Sequence, residues 1–158
     1  IICDSEAIAE YINEIQPDPA MLPAEPRARA TARALSRFHD SRIEPVLRAY
    51  FGQIAPANRD ADFIRDNASL LQKRMQQLAQ MVTPHPFLCG DILSLADCGF
   101  APSFAILNRL QAILGFTVDL PDGLRAYETA LASHPSVTDE LQGYYDALDS
   151  WAEAKLKS

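Results

Sequence analysis

Apolar residues recur at gaps of three and four along most of the chain, which is the spacing of one face of an α-helix. The strictest run lies between residues 59 and 82, where the two gaps alternate. The same pattern predicts helices over residues 4–15, 27–51, 59–82, 94–107, 122–133 and 136–155. The pattern therefore predicts an all-α protein whose helices pack along apolar stripes.

The helix over 94–107 differs from the others because residues 98–107 are apolar nearly all round. That composition is typical of a helix buried on every side. At its start, Ser94 and Asp97 have the spacing of a capping box, in which each side chain binds the other residue's backbone N–H. We therefore predict that Ser94 and Asp97 have a structural role, that the other helices surround this one, and that Pro102 kinks it.

Prolines mark the predicted boundaries. Four of them lie within residues 17–26 without a glycine, which predicts a stiff linker. Pro45 is predicted to bend the helix over 27–51, and the β-branched Ile1 and Ile2 predict the end of a strand. The chain therefore divides into a short first segment (1–16), a linker (17–26) and a helical domain (27–158).

Composition excludes several classes of protein. A net charge of −7 over 158 residues argues against a nucleic-acid partner, and no apolar run is long enough to span a membrane. Three cysteines without a CxxC motif favour reduced thiols and a cytoplasmic location. The histidines are too scattered to predict a metal site. His39 and Asp40 are adjacent on a predicted helix, so we expect their side chains to diverge and not to form a dyad.

Four segments, in this order, resemble the cytosolic glutathione transferase superfamily. They are Asp-Ser-Glu-Ala-Ile-Ala-Glu-Tyr-Ile at 4–12, Leu-Pro at 22–23 before Arg27 and Arg29, Phe-Leu-Cys-Gly-Asp-Ile-Leu-Ser-Leu-Ala-Asp at 87–97, and His-Pro-Ser-Val at 134–137. The resemblance implies a glutathione-transferase C-terminal-type helical bundle around the buried capped helix. It also implies that residues 1–16 are the last strand and helix of a thioredoxin-like domain.

The resemblance further implies a cytoplasmic homodimer that conjugates the thiolate of glutathione, its co-substrate, to apolar electrophiles without a metal. Asp4 and Ser5 match the family's residues for the γ-glutamyl end of glutathione. A carboxylate suits the ammonium group, while a hydroxyl at a helix start suits the carboxylate. The family's thiol-activating residue lies ahead of the matching segments, so no catalytic residue is predicted, and the chain is expected to be the back portion of a longer protein.

By the same resemblance, the wall of the electrophile pocket is formed by Arg37, Phe38, Ser41 and Arg42, with Trp151 as a lid. Glu44 is an acid that the resemblance places near glutathione across a dimer interface. From the residues alone, Asp4 and Ser5 are an ordinary helix cap and Phe38 is a core residue.

Two other classes remain open. One is a different glutathione-dependent enzyme, such as an isomerase, dehalogenase or disulfide reductase. The other is a non-catalytic relative that uses the same fold as an interaction module, as in elongation-factor gamma subunits and stringent-starvation proteins. The Asp4-Ser5 pair favours ligand binding over the second class.

Overall fold

The computed structural model describes residues 1–157, and no β-strand forms among them. The α-helices are α1 (Ser5–Ile15), α2 (Pro26–Phe38), α3 (Glu44–Ala49), α4 (Ala61–Met81), α5 (Leu95–Cys98), α6 (Phe100–Leu114), α7 (Asp122–Ser133) and α8 (Pro135–Leu156). A π-helical turn, His39–Ile43, joins α2 to α3, and 3₁₀ turns cover Tyr50–Gln53 and Pro56–Asn58. The all-α fold class predicted from the apolar spacing is confirmed.

Two local predictions differ from the structure. The helix predicted over 27–51 is interrupted by the π-helical turn before Pro45, which lies in the first turn of α3. Proline lacks an N–H and crowds the carbonyl four residues earlier, and a wider turn relieves both problems. Ile1 and Ile2 are exposed and form no strand, because no neighbouring strand is present to pair with their backbone.

Helix α6 is the centre of the fold, as its apolar composition predicts. Phe100, Phe104, Leu107 and Leu110 are buried, and α3, α5, α7 and α8 all contact this helix. Pro102 lies in its first turn, where a missing N–H breaks few helical bonds. The break in the helix therefore occurs at the α5–α6 junction and not at the proline.

Asp97 holds the start of α5 through four hydrogen bonds. The residue is 1% exposed and forms the capping box with Ser94. Its Oδ2 accepts from Ser94 N at 2.8 Å and Ser94 Oγ at 2.9 Å. Its Oδ1 accepts from Leu88 N at 3.0 Å and from the hydroxyl of Tyr127 at 2.8 Å. The capping residue therefore also ties the 87–90 loop and α7 to the core.

The linker is ordered against the bundle. Asn13 Oδ1 accepts from Met21 N at 2.8 Å, and Met21 O accepts from Leu95 N at 2.8 Å. These bonds connect α1, the linker and α5. The apolar side of α1 is exposed and consists of Ile8, Tyr11, Ile12 and Ile15.

No helix within residues 1–157 combines the length and the apolar character that a membrane crossing requires.

Two buried tyrosines predict a loss of stability in alkali. Burial raises the pKa of Tyr50 to about 12, and burial together with the negative charge of Asp97 also raises the pKa of Tyr127. The unfolded chain ionises its tyrosines near pH 10, so the stabilisation is complete below that pH and is lost as the pH rises above it. We expect the free energy of unfolding to fall by up to about 1.4 kcal/mol per pH unit for each group.

Urea unfolding at pH 9, 10 and 11 measures this decline. The Tyr50→Phe variant is the matched control, because it retains only Tyr127 as a fully buried phenol. Its stability should fall less steeply with pH than that of the unmodified protein. Equal slopes for the two proteins would show that the ionisation of Tyr50 does not contribute.

Candidate functional site

The start of α1 has a backbone conformation that few residue types adopt. Asp4 has a φ of 82°, in a region where residues other than glycine are uncommon and Asp and Asn are enriched. Its Oδ1 accepts from the N–H groups of Glu6 at 3.0 Å and Ala7 at 3.4 Å. Ser5, the first residue of the helix, is exposed beside it. An exposed carboxylate and an exposed hydroxyl therefore meet at a helix N-terminus.

An open groove of about 580 Å³ lies next to Asp4, between α1 and α2. Two ion pairs cross it: Arg33 Nη2 lies 2.7 Å from Glu10 Oε2, and Arg37 Nη1 lies 3.1 Å from Glu6 Oε2. The bond from Arg33 lowers the pKa of Glu10. The sequence predicts Arg37 in the electrophile pocket, whereas the structure places it in this groove.

A second cavity, of about 320 Å³, lies among α3, α6 and α8. Most of its wall is apolar, and two aromatic rings, Phe51 and Trp151, meet in it with their centroids 4.8 Å apart. Glu44 and Arg48, which form an ion pair on α3, also line it. The apolar wall and the few polar groups are typical of a small-molecule site. We call this space the aromatic cavity.

Trp151 is the one residue of the five predicted for the electrophile pocket that lines the aromatic cavity. Phe38 is half-buried against the core, and the Ser41 hydroxyl donates to Arg37 O at 2.6 Å. Arg42 is exposed.

A chain of polar groups lies next to the aromatic cavity; His39 and Ser103 are buried, whereas the Asp40 side chain is 43% exposed. His39 Nδ1 is 2.8 Å from Asp40 Oδ1, and His39 Nε2 is 2.7 Å from Ser103 Oγ. His39 is 5% exposed and Ser103 is 7% exposed. The expectation that His39 and Asp40 do not form a dyad is therefore wrong. Both residues belong to the π-helical turn, whose wider winding brings the neighbouring side chains together.

The sequence contains a weak signal for this chain of groups. His39 lies four residues from both Leu35 and Ile43, on the apolar stripe of its helix, and Ser103 is the one hydroxyl in the apolar run 98–107. A polar residue on each of two apolar stripes needs a buried partner. Their separation of 64 residues in the chain gives no indication that they are each other's partner.

The remaining predicted features have simple outcomes. Cys3, Cys89 and Cys98 are free thiols, and burial raises the pKa of Cys89 and of Cys98. Within residues 1–157, no cluster of three or more His, Cys, Asp or Glu side chains is arranged to hold a metal ion. The candidate site has two parts. One is the open groove between α1 and α2 beside Asp4, which we call the acidic groove. The other is the aromatic cavity.

No family model matches the sequence. Among curated proteins, maleylacetoacetate isomerase of Rattus norvegicus is 30% identical over 141 residues, which cover 85% of this chain and 63% of that protein. A stringent starvation protein A homolog of Pasteurella multocida is 30% identical over 143 residues, which cover 89% of this chain and 63% of that protein. The chain thus spans less than two thirds of the length of either relative.

Solved structures share the fold. The Tau class glutathione S-transferase of mango, Mangifera indica, superposes with a TM-score of 0.78 at 20% identity, over 98% of this chain and 71% of that one. The theta class enzyme of Xanthomonas axonopodis pv. citri, solved with glutathione bound, gives a TM-score of 0.68 at 20% identity, over 89% of this chain and 67% of that one. The chain has the helical fold of these glutathione S-transferases. The resemblance carried by the four sequence segments is thereby confirmed.

Within this superfamily fold, the two parts of the site lie on different elements. The acidic groove lies between α1 and α2. Asp4 lines it, and Ser5 is the next residue, at the start of α1. The aromatic cavity is lined by residues of α3, α6 and α8. The helical fold of this chain therefore has a polar, charged groove and a separate, mostly apolar cavity.

Proposed function

We propose that this chain is the helical part of a glutathione-dependent enzyme and that Asp4 and Ser5 hold the γ-glutamyl end of glutathione. The observation that carries the proposal is the geometry of Asp4, which caps α1 from a rarely occupied backbone conformation while its carboxylate stays exposed. Such conformations cluster at active sites and ligand-binding sites. The Asp4 carboxylate takes the ammonium group of glutathione, and the Ser5 hydroxyl takes its carboxylate.

The aromatic cavity accepts the apolar co-substrate in this proposal. Its wall includes Leu47, Phe51 and Trp151, which match an apolar electrophile. The reaction is attack of the glutathione thiolate on an electrophilic carbon, with the cavity holding that carbon in position. None of the residues described above is assigned the role of activating the thiol.

A second candidate is a glutathione-dependent isomerase, and the curated relatives favour it. The Rattus norvegicus relative is named a maleylacetoacetate isomerase. In such a reaction glutathione is regenerated, so no conjugate accumulates. The Pasteurella multocida relative, named a stringent starvation protein A homolog, supports the third alternative, a non-catalytic interaction module.

The proposal also includes the organisation that the superfamily resemblance implies. Residues 1–16 belong to a thioredoxin-like domain, residues 17–26 are the linker and residues 27–158 form the helical domain. The exposed apolar side of α1 supports that division, because Ile12 and Ile15 are 50% and 63% exposed and suit burial against another domain. We further propose a cytoplasmic location, which the free thiols support, and a homodimer, which the superfamily resemblance implies.

Replacement of Asp4 by Asn should weaken glutathione binding at least tenfold. Asn retains the capping oxygen and tolerates a positive φ, but it loses the charge that pairs with the ammonium group, which contributes about 1.5–3 kcal/mol. Ser5→Ala should weaken binding as well. Isothermal titration of glutathione into the full-length protein measures both effects, and the Tm of each variant verifies that the fold is intact.

Asp60→Asn is the matched control, because Asp60 caps α4 with the same pair of bonds, to Asp62 N and Phe63 N. It should bind glutathione like the unmodified protein. Unchanged affinity in both Asp4→Asn and Ser5→Ala would contradict the assignment.

A chlorodinitrobenzene assay on the same sample then separates the three candidate functions. Turnover indicates a transferase, glutathione binding without conjugation indicates an isomerase, and no glutathione binding indicates an interaction module.

A further inference from the structure

The chain of groups formed by Asp40, His39 and Ser103 has the order of a nucleophilic triad. A carboxylate only accepts hydrogen bonds, so Asp40 places the imidazole proton on Nδ1 of His39. The other ring nitrogen, Nε2, is then an acceptor, and the Ser103 hydroxyl donates to it across 2.7 Å. This arrangement makes Nε2 the base that removes the proton of a serine nucleophile.

The position of His39 is fixed from three sides. Its ring packs on Phe100 with a centroid distance of 4.8 Å, and both ring nitrogens are bonded. At Gly99, an added Cβ would lie 2.6 Å from the ring, so the absence of a side chain there makes room for the imidazole. The base is therefore held in one orientation toward Ser103, as general-base catalysis requires.

Ser103 also lines the aromatic cavity, beside Leu47, Phe51 and Trp151. A volume of about 320 Å³ lies at the lower end of small-molecule pockets. Arg48 and Tyr144, both hydrogen-bond donors, line the same cavity. The cavity therefore combines a serine backed by a histidine with an apolar space for an acyl group, and the ion pair of Glu44 and Arg48 also lines it.

We propose that Ser103 is the nucleophile of a glutathione-independent esterase activity toward small esters with an apolar acyl group. Ser103 Oγ attacks the carbonyl carbon while its proton passes to His39 Nε2. The bond from that carbon to the alkoxy oxygen breaks, and the alcohol leaves with the proton from Nε2. Water then attacks the carbonyl carbon of the acyl-serine and gives a proton to Nε2; the bond from that carbon to Oγ breaks, Nε2 returns the proton to Oγ, and the acid is released.

The first test is hydrolysis of p-nitrophenyl butyrate by the full-length protein without glutathione. Ser103→Ala should lower kcat/KM at least about 100-fold, because the nucleophile is lost. Ser133→Ala is the matched control, since its exposed hydroxyl donates only to Thr129 O at the end of α7, and it should retain the full rate. A rate that survives Ser103→Ala but disappears on alkylation of the cysteines would overturn the proposal.

A second measurement does not depend on the folding of any variant. The unmodified protein is treated with diethyl p-nitrophenyl phosphate, and the modified residue is located by peptide mass spectrometry. Phosphorylation of Ser103 supports the proposal, and labelling of other residues only would overturn it. Because the reagent and the assay contain no glutathione, failure of glutathione binding leaves both results unaffected.

Asp40 is a positioning residue in this proposal. Asp40→Asn should lower kcat with little change in KM, since the ring then loses the carboxylate that keeps the proton on Nδ1. Asp40→Glu should restore part of the rate, because it restores the charge. A loss of activity in Asp40→Asn that followed only a loss of Tm would assign Asp40 a structural role and contradict this part of the proposal.

Discussion

Replacement of Asp97 by Ala should lower the free energy of unfolding by about 3–5 kcal/mol, because several buried donors lose their acceptor at once. The carboxylate is 1% exposed and accepts four hydrogen bonds. Its removal leaves the N–H groups of Leu88 and Ser94 and the hydroxyl of Tyr127 without that acceptor, and each buried unsatisfied donor costs about 1–3 kcal/mol. The expected fall in Tm is about 10 °C.

Urea unfolding of Asp97→Ala beside Asp60→Ala makes this test specific. Asp60 is also an N-cap, but it is exposed and binds only two N–H groups of its own helix. Its replacement should therefore cost about 1 kcal/mol, the ordinary value of a cap. If both variants lost the same stability, Asp97 would be a simple cap and the bonds to Leu88 and Tyr127 would contribute nothing measurable.

The comparison of these two caps shows how far the sequence could predict the fold. The spacing of Ser94 and Asp97 is local, so the capping box could be predicted from four consecutive residues. The bond from Tyr127 arrives from 30 residues away, and no local pattern encodes it. The helices could be predicted for the same reason, since their apolar gaps are local, whereas Pro45 predicts an irregularity without specifying that it is a π-helical turn.

The candidate site shows the same division. Asp4 and Ser5 form a contiguous motif, so the start of α1 could be identified from sequence. The aromatic cavity is formed by α3, α6 and α8, whose relative placement is set by tertiary packing. Of the residues predicted for an electrophile pocket, Trp151 lines this cavity, while Phe38 packs against the core. The pairing of His39 with Ser103 likewise required the packed structure.

Gly99→Ala should destabilise the protein by about 1–3 kcal/mol, the range for overpacking a core. Helix propensity alone predicts the opposite, since Ala is favoured over Gly by about 1 kcal/mol inside a helix and Gly99 has helical angles, φ −74° and ψ −28°. The new Cβ would lie 2.6 Å from His39 Cε1 and Nδ1. The ring cannot move away without breaking its bonds to Asp40 and Ser103, so the steric effect dominates.

Two further variants isolate the cause. Gly143→Ala, within α8, places its Cβ where no atom lies within 4 Å, so it should be neutral or stabilising by up to about 1 kcal/mol.

His39→Ala removes the obstructing ring, so Gly99→Ala should cost little or nothing in that background. Denaturant unfolding of the four proteins in this double-mutant cycle gives a coupling energy of about 1 kcal/mol or more if residues 39 and 99 are in contact. Additive losses would show that the ring is free to move aside, and that the imidazole is not held toward Ser103.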